Sequence, residues 1–189
     1  MDWTEEIGSL LGAYAGASPA TAPSTVHDDF DEVARAAPSS AIADGLAAAF
    51  RSDHTPEFGD MLSQLFGQSP PDQRARILND LIASVGPQVA AAILGRFQGN
   101  AAPPAGPVDE TTAARVPPAA VSEIAAAAEK KDPSIIERIS QAYARQPQLV
   151  KTLGKVALTV ALAQIASRQR SSRRAINIAS LAVDRRPRV

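Results

Sequence analysis

The sequence predicts an all-α protein, a helical bundle of about nine helices built from a duplicated three-helix unit. Three observations carry this expectation. Apolar residues recur at the 3.6-residue period along most of the chain, prolines and glycines punctuate those runs, and a stretch of the first half returns 77 residues later in the second. Hydrophobic residues make up 45% of the chain but aromatics only 4%. The core must therefore be filled with Ala, Leu, Ile and Val. Each such contact buries little area, so the units are expected to gain stability by packing together or by self-association.

In chain order, Trp3, Ile7, Leu10, Leu11 and Tyr14 share one helical face behind Asp2 as N-cap, and the run from Gly16 to Pro23 forms a loop. Thr25 caps a helix with the stripe Val26, Phe30, Val33 and Ala37, stopped by Pro38; Ile42, Leu46, Ala49 and Phe50 mark a third. Thr55 as N-cap and Pro56 at the first helical position open a fourth, with Phe58, Met61, Leu62, Leu65 and Phe66 inward and Gly67 at its end. Ser69, Pro70 and Pro71 begin a fifth, with Asp72 in its first turn and Ile77, Leu78, Leu81, Ile82 and Val85 buried; Pro87 to Phe97 is a short sixth. Three prolines and two glycines between Gly99 and Pro107 predict a flexible linker reaching about Arg115. Beyond it, Pro117 to Lys131 forms an Ala-rich helix with Val121 and Ile124. Asp132 and Pro133 open one with Ile135, Ile136, Ile139 and Tyr143, and Pro147 starts one running to about Ser167.

The repeat is more than shared helix content. Leu46-Ala47-Ala48-Ala49, Thr55-Pro56, Ser63-Gln64, Phe66 and Pro70 correspond to Ile124-Ala125-Ala126-Ala127, Asp132-Pro133, Ser140-Gln141, Tyr143 and Pro147. Capping requires neither the shared Ser-Gln nor the constant proline spacing. The expected organisation is an acidic helical domain over residues 1–98, a linker over 99–115, a second helical unit over 116–167 repeating about 39–85, and a basic tail over 168–189 with a short helix.

The net charge of −1 conceals a split: residues 1–99 carry 13 acids and 5 bases, residues 100–189 carry 7 acids and 14 bases. Such a dipolar chain can pair head to tail with itself or offer its basic end to nucleic acid or anionic lipid. The absence of cysteine excludes disulfides and thiolate metal sites. An acidic start without an apolar run, and no stretch of about 20 apolar residues, predict a cytoplasmic protein without signal peptide or transmembrane helix.

Chemistry-bearing motifs are scarce. His27 with Asp31 four residues on has the spacing of a metal pair, but an acid-rich first helical turn accounts for the same residues. His54 sits in a polar joint. No nucleophile elbow, phosphate-binding glycine loop or dinucleotide fingerprint is present. No catalytic residue, metal, cofactor or small-molecule substrate is therefore expected, and the protein is read as a non-enzyme.

The segment Val156 to Ala166 is apolar almost all round, which fits a central core helix or a contact between copies. Next comes the run Arg168, Arg170, Arg173 and Arg174, either a phosphate-binding surface or a solvated helix end that complements the helix dipole. The island around Ile176, Ile178 and Leu181 then needs a partner surface or folds back as a last helix on the chain's own core. The expected interaction residues are Leu153, Val156, Val160, Leu162, Ile165, those four arginines, Ile176, Ile178 and Leu181. The expected partners are a second copy or another protein, with an anionic membrane or nucleic acid as the alternative through residues 145–189.

Two short resemblances accompany this reading. Ile176-Asn177-Ile178-Ala179-Ser180-Leu181 resembles the C-terminal tails that load cargo into encapsulin shells, with Ala179 where those tails usually have Gly. The helix ends Leu10-Leu11-Gly12, Leu65-Phe66-Gly67-Gln68 and Val85-Gly86-Pro87 resemble those of the YidB-like group of small helical bacterial proteins. That likeness covers at most the first hundred residues. It implies an all-α fold and a bacterial origin, and no activity.

Overall fold

The computed structural model describes residues 7–17, 23–98 and 106–183, with side chains through Phe97 in the second stretch and Ser171 in the third. The expected cap at Asp2, Trp3 of the first stripe, part of the linker and the last six residues lie outside them. Among the described residues there are eleven helices and no strand: α1 Gly8–Tyr14, α2 Val26–Ala36, α3 Ser39–Phe50, α4 Phe58–Gln68, α5 Pro71–Val85, α6 Pro87–Gln98, α7 Glu110–Arg115, α8 Pro118–Lys131, α9 Ile135–Ala144, α10 Pro147–Val150 and α11 Lys155–Val183. None is long and apolar enough to cross a membrane.

Most residues of the expected stripes are buried, while Leu10, Ala37 and Ile82 are only partly covered. Phe58, Met61, Leu62, Leu65 and Phe66 of α4 are buried, as are Ile77, Leu78, Leu81 and Val85 of α5 and Ile135, Ile136, Ile139 and Tyr143 of α9. Pro71 occupies the first position of α5, where its missing N–H costs nothing. Gly86, at φ 87°, ends α5 in the left-handed region with its N–H on the Ile82 carbonyl, 2.8 Å away, and Lys131 Nζ donates to the neighbouring Val85 carbonyl at 3.0 Å.

Two helix starts differ from expectation. Thr55 and Asp132 are not N-caps, because α4 and α9 begin three residues later, at Phe58 and Ile135. Thr55 instead donates its hydroxyl to the Ala49 and Ser52 carbonyls (2.6 and 2.8 Å), closing the end of α3. Asp132 accepts from the Ser134 N–H and hydroxyl (3.1 and 2.6 Å) and from Arg138 at 3.0 Å. Those bonds hold its carboxyl below the usual range, Ser134 contributing most. Each polar residue and its proline thus make a turn. The helix that Pro147 begins does not run to Ser167 either: it stops at Val150, and the chain turns through Leu153 and Gly154 before α11. That turn is pinned by Gln64, whose Nε2 donates to the Thr152 carbonyl at 2.5 Å, and by burial of Leu153.

The expected linker is folded over its last third. The Asn79 side chain of α5 clamps the Val108 backbone, with Nδ2 to the carbonyl at 3.0 Å and Oδ1 accepting the N–H at 2.8 Å. Asp109 then caps α7 by accepting from Thr112 N–H at 2.7 Å, and Val108, Ala113 and Val116 bury themselves. Asn79→Ala orphans both backbone groups and is expected to cost about 1–3 kcal/mol. Hydrogen exchange should then accelerate over residues 108–116 more than in α8; equal protection would show that the clamp does not hold α7.

The two expected helical units, 1–98 and 116–167, share one core whose buried residues run from Ile7 to Ala166. Helices α3 and α4 of the first half pack respectively on α9 and α8 of the second. Reciprocally, α11 lies on α3 while α5 lies on α8. Two close approaches mark these seams. A Cβ on Gly45 of α3 would stand 2.8 Å from the Ala161 carbonyl oxygen of α11, and one on Gly59 of α4 would stand 2.6 Å from the Ser122 carbonyl oxygen of α8. Ion pairs tie the halves as well: Arg51 to Glu137, Lys151 to Asp31, Arg168 to Asp44, and Arg96 to Glu123 at 2.6 Å. Part of the charge asymmetry is therefore neutralised within the chain.

Candidate interaction site

Helix α11 contains most of the residues that the sequence singles out. From Lys155 to Val183 there is neither glycine nor proline, so nothing interrupts the hydrogen-bond ladder, and the backbone is one helix of 29 residues. The basic run and the apolar island therefore continue the apolar segment. They form neither a separate tail with a short helix nor a last helix folded back on the core.

The first half of α11 is a core helix. Ala157, Leu158, Ala161, Leu162, Ile165 and Ala166 are buried, and α1, α2 and α3 pack around them. Thr159, fully buried, donates its hydroxyl to the Lys155 carbonyl at 2.8 Å and leaves no orphan. Of the expected interaction residues, Leu153, Leu162 and Ile165 are covered by the chain's own helices and cannot meet a partner in this fold. Their apolar character serves the core because α11 sits against three helices at once. Val156 and Val160 are half-buried. Arg168 reaches Asp44, and Arg170 is exposed. Arg173, Arg174, Ile176, Ile178 and Leu181 lie on the same helix backbone, and their side chains lie outside the described part.

Ala166, Gln169 and Arg170 of α11 form one wall of a cleft of about 170 Å³, and Gly8, Leu11, Gly12 and Ala15 of the α1 segment form the other. Sequence reasoning missed the α1 wall. Its signal was the spacing of Gly8 and Gly12, one helical turn apart beside Leu11, which leaves a groove where side chains would stand. A Cβ on Gly12 would meet no atom within 4 Å.

Two other clefts carry charged side chains in their lining. One, of about 230 Å³, is lined by Ser39, Ser40, Ala43, Asp44, Gln141 and Arg145. Another, of about 420 Å³, gathers Arg51, Asp53, Glu57, Glu129 and Lys130 beside Phe50 and Phe58. Neither histidine lines any of the three. His27 is half-buried on α2, and Asp31, its possible partner, is held by Lys151; His54 is exposed with its N–H on Ser52 Oγ at 3.2 Å. Among the described residues no three His, Cys, Asp or Glu side chains group as a metal site.

Besides Thr159, the buried polar residues are Ser69 at the end of α4, Gln73 and Ser84 of α5 and Ser140 of α9 among the described residues. Tyr143 meets the Ser69 hydroxyl at 3.0 Å, and burial pushes its phenol up to about 12. Ser84 contacts Arg138 and Asp132, while Gln73 and Ser140 are buried with side-chain polar atoms that meet no hydrogen-bond partner among the described residues.

Compared with known proteins, the chain matches no family model, no curated protein and no solved structure.

Proposed function

We propose that this is a non-enzymatic, self-associating helical interaction protein of the bacterial cytoplasm, with the second half of α11 as its contact element. The observation that carries the reading is the division of one unbroken helix. Its first half is locked into the core by Leu158, Leu162 and Ile165, whereas its sequence after Ser171 again carries Ile176, Ile178 and Leu181 between arginines. Large aliphatic residues on such a continuation gain free energy when a partner covers them. The crossed pairing of α3 with α9 and α4 with α8 supports a related proposal about origin: a three-helix unit that paired with a second copy of itself came to carry both copies in one chain.

Light scattering tests the reading. The full chain is expected to exceed monomer mass at both low and high salt, and a chain ending at Ser171, which keeps the core and the Arg168 to Asp44 pair, is expected to be monomeric. A full chain that stays monomeric at every concentration overturns it.

A second reading, a peripheral binder of anionic surfaces, is favoured by exposed Arg170 and the continuation of its helix through Arg173 and Arg174. It predicts binding to vesicles containing anionic lipid that falls steeply with salt and vanishes in the chain ending at Ser171. Binding indifferent to salt or to that deletion rejects it.

A further inference from the structure

The described helices fall into two groups by their packing. Helices α4 to α8 pack among themselves: α4 on α8, α5 on α6, α7 and α8, and α6 on α8. Helices α1, α2, α3, α9, α10 and α11 do the same, with α3 on both α9 and α11, α1 and α2 on α11, and α10 on α9. Residues 58–131 are therefore one lobe inserted between α3 and α9 of another, which the early and late parts of the chain build together. The chain passes between the lobes twice, through the turns 51–57 and 132–134. These turns lie side by side, since Arg51 Nη2 donates to the Pro133 carbonyl at 3.4 Å and pairs with Glu137. Across the first of them the rings of Phe50 and Phe58 meet edge to face, with centroids 5.1 Å apart. Two adjacent connections between two lobes have the geometry of a hinge.

The lobes meet mainly through α5 and α9. Near the hinge, Ser84 of α5 contacts Arg138 and, at 3.2 Å, Asp132. At the far end Ser69 meets Tyr143 at 3.0 Å, and Gln64 donates to the Thr152 carbonyl at 2.5 Å. Gln73 stands on α5 between these ends. By helical register it shares a face with Ile77, Asp80 and Ser84, the face that reaches Arg138. It is 4% exposed, and neither polar atom of its amide has a hydrogen-bond partner among the described residues. A buried amide without bonds penalises the closed arrangement, and separating the lobes relieves that penalty by admitting water. Buried apolar residues form one cluster through both lobes, so the closed form predominates.

We propose that the two lobes swing apart about the paired turns, that the α5–α9 seam opens from its Ser69–Tyr143 end, and that the Gln73 amide sets how often it opens. The cleft of about 420 Å³ is walled by residues of the 51–57 turn and by Ala126, Glu129 and Lys130 of α8, so its shape follows the hinge angle. The motion belongs to a single chain and does not depend on self-association.

Pulsed electron spin resonance between nitroxide labels tests this on the full chain, which has no cysteine of its own. Glu32→Cys with Arg76→Cys spans the lobes, whereas Glu32→Cys with Gln141→Cys stays within one, and all three positions are exposed. Diluting the labelled chain into excess unlabelled parent restricts the reading to distances within one chain. The spanning pair should show a second, longer-distance population, and the control pair a single narrow one. Gln73→Met keeps the volume and removes the amide, so it should shrink the longer-distance population about fivefold or more, with the control pair and the helical circular dichroism unchanged. A spanning pair as narrow as the control overturns the hinge. A control pair as broad as the spanning pair means general looseness and overturns it too. A longer-distance population that Gln73→Met leaves unchanged overturns the part given to that amide. If Gln73→Met loses helicity, the two label pairs in the parent sequence still decide the hinge.

Discussion

Leu162→Ala is expected to destabilise the protein by about 2–5 kcal/mol and to lower its thermal midpoint by roughly 5–15 °C. Leu162 is fully buried in the half of α11 around which α1, α2 and α3 gather. Removing its branched end leaves a cavity, and the walls have little freedom to collapse. Gly45 already brings α3 so close to α11 that its absent Cβ would stand 3.1 Å from Ile165 Cδ1, so the helices cannot approach further at that level. The cost should lie toward the upper end of the range. Val156→Ala on the same helix, at a half-buried position, should cost under about 1.5 kcal/mol. Urea unfolding followed by circular dichroism compares the two. Equal small effects would mean that the first half of α11 does not belong to the core.

Gly59→Val should be as damaging for the opposite reason. The new Cβ would lie 2.6 Å from the Ser122 carbonyl oxygen and 3.0 Å from its Oγ. The hydroxyl can rotate away, but the carbonyl belongs to the α8 backbone and moves only with that helix. Helix α8 also packs on α5 and α6, so a shift there disturbs three seams, and a loss of about 3 kcal/mol or more is expected. Helix propensity alone predicts the reverse sign, since glycine in a helix interior is worse than alanine by about 1 kcal/mol. Gly12→Ala isolates that term in open space and should stabilise slightly. If Gly59→Val also proved neutral or stabilising in unfolding measurements, the close crossing of α4 and α8 would be wrong.

The sequence was legible wherever a single helix decides the matter. The periodicity of Phe58 to Phe66 and of Ile135 to Tyr143 names the buried faces because one side of each helix meets solvent. Thr55 was misleading because the Ala49 and Ser52 carbonyls compete for its hydroxyl, and that competition depends on where α3 ends. The helix Glu110–Arg115 was hidden because six residues with one capping aspartate carry almost no periodic signal; the approach to it is held by Asn79, 29 residues before the Val108 it clamps. The candidate site was half legible. Composition marked Leu162 and Arg168 as unusual, but separating core from surface on α11 requires knowing which of its residues α1, α2 and α3 pack against. The α1 wall of the cleft was missed because two of its four residues are glycines and Leu11 reads as part of the core stripe.

The crossed pairing of the halves also sets a timetable. Asp44 cannot meet Arg168 until 124 more residues have been made, and at about 5–20 residues per second that wait is roughly 6–25 s. During it, the face of α4 waits for α8, and α3 waits first for α9 and last for α11. Contacts this distant in sequence slow folding and postpone its decisive step until after translation has nearly finished. The growing chain is thus at its most vulnerable to aggregation in the interval before α11 emerges from the ribosome, and a chaperone that shields aliphatic surface would act there.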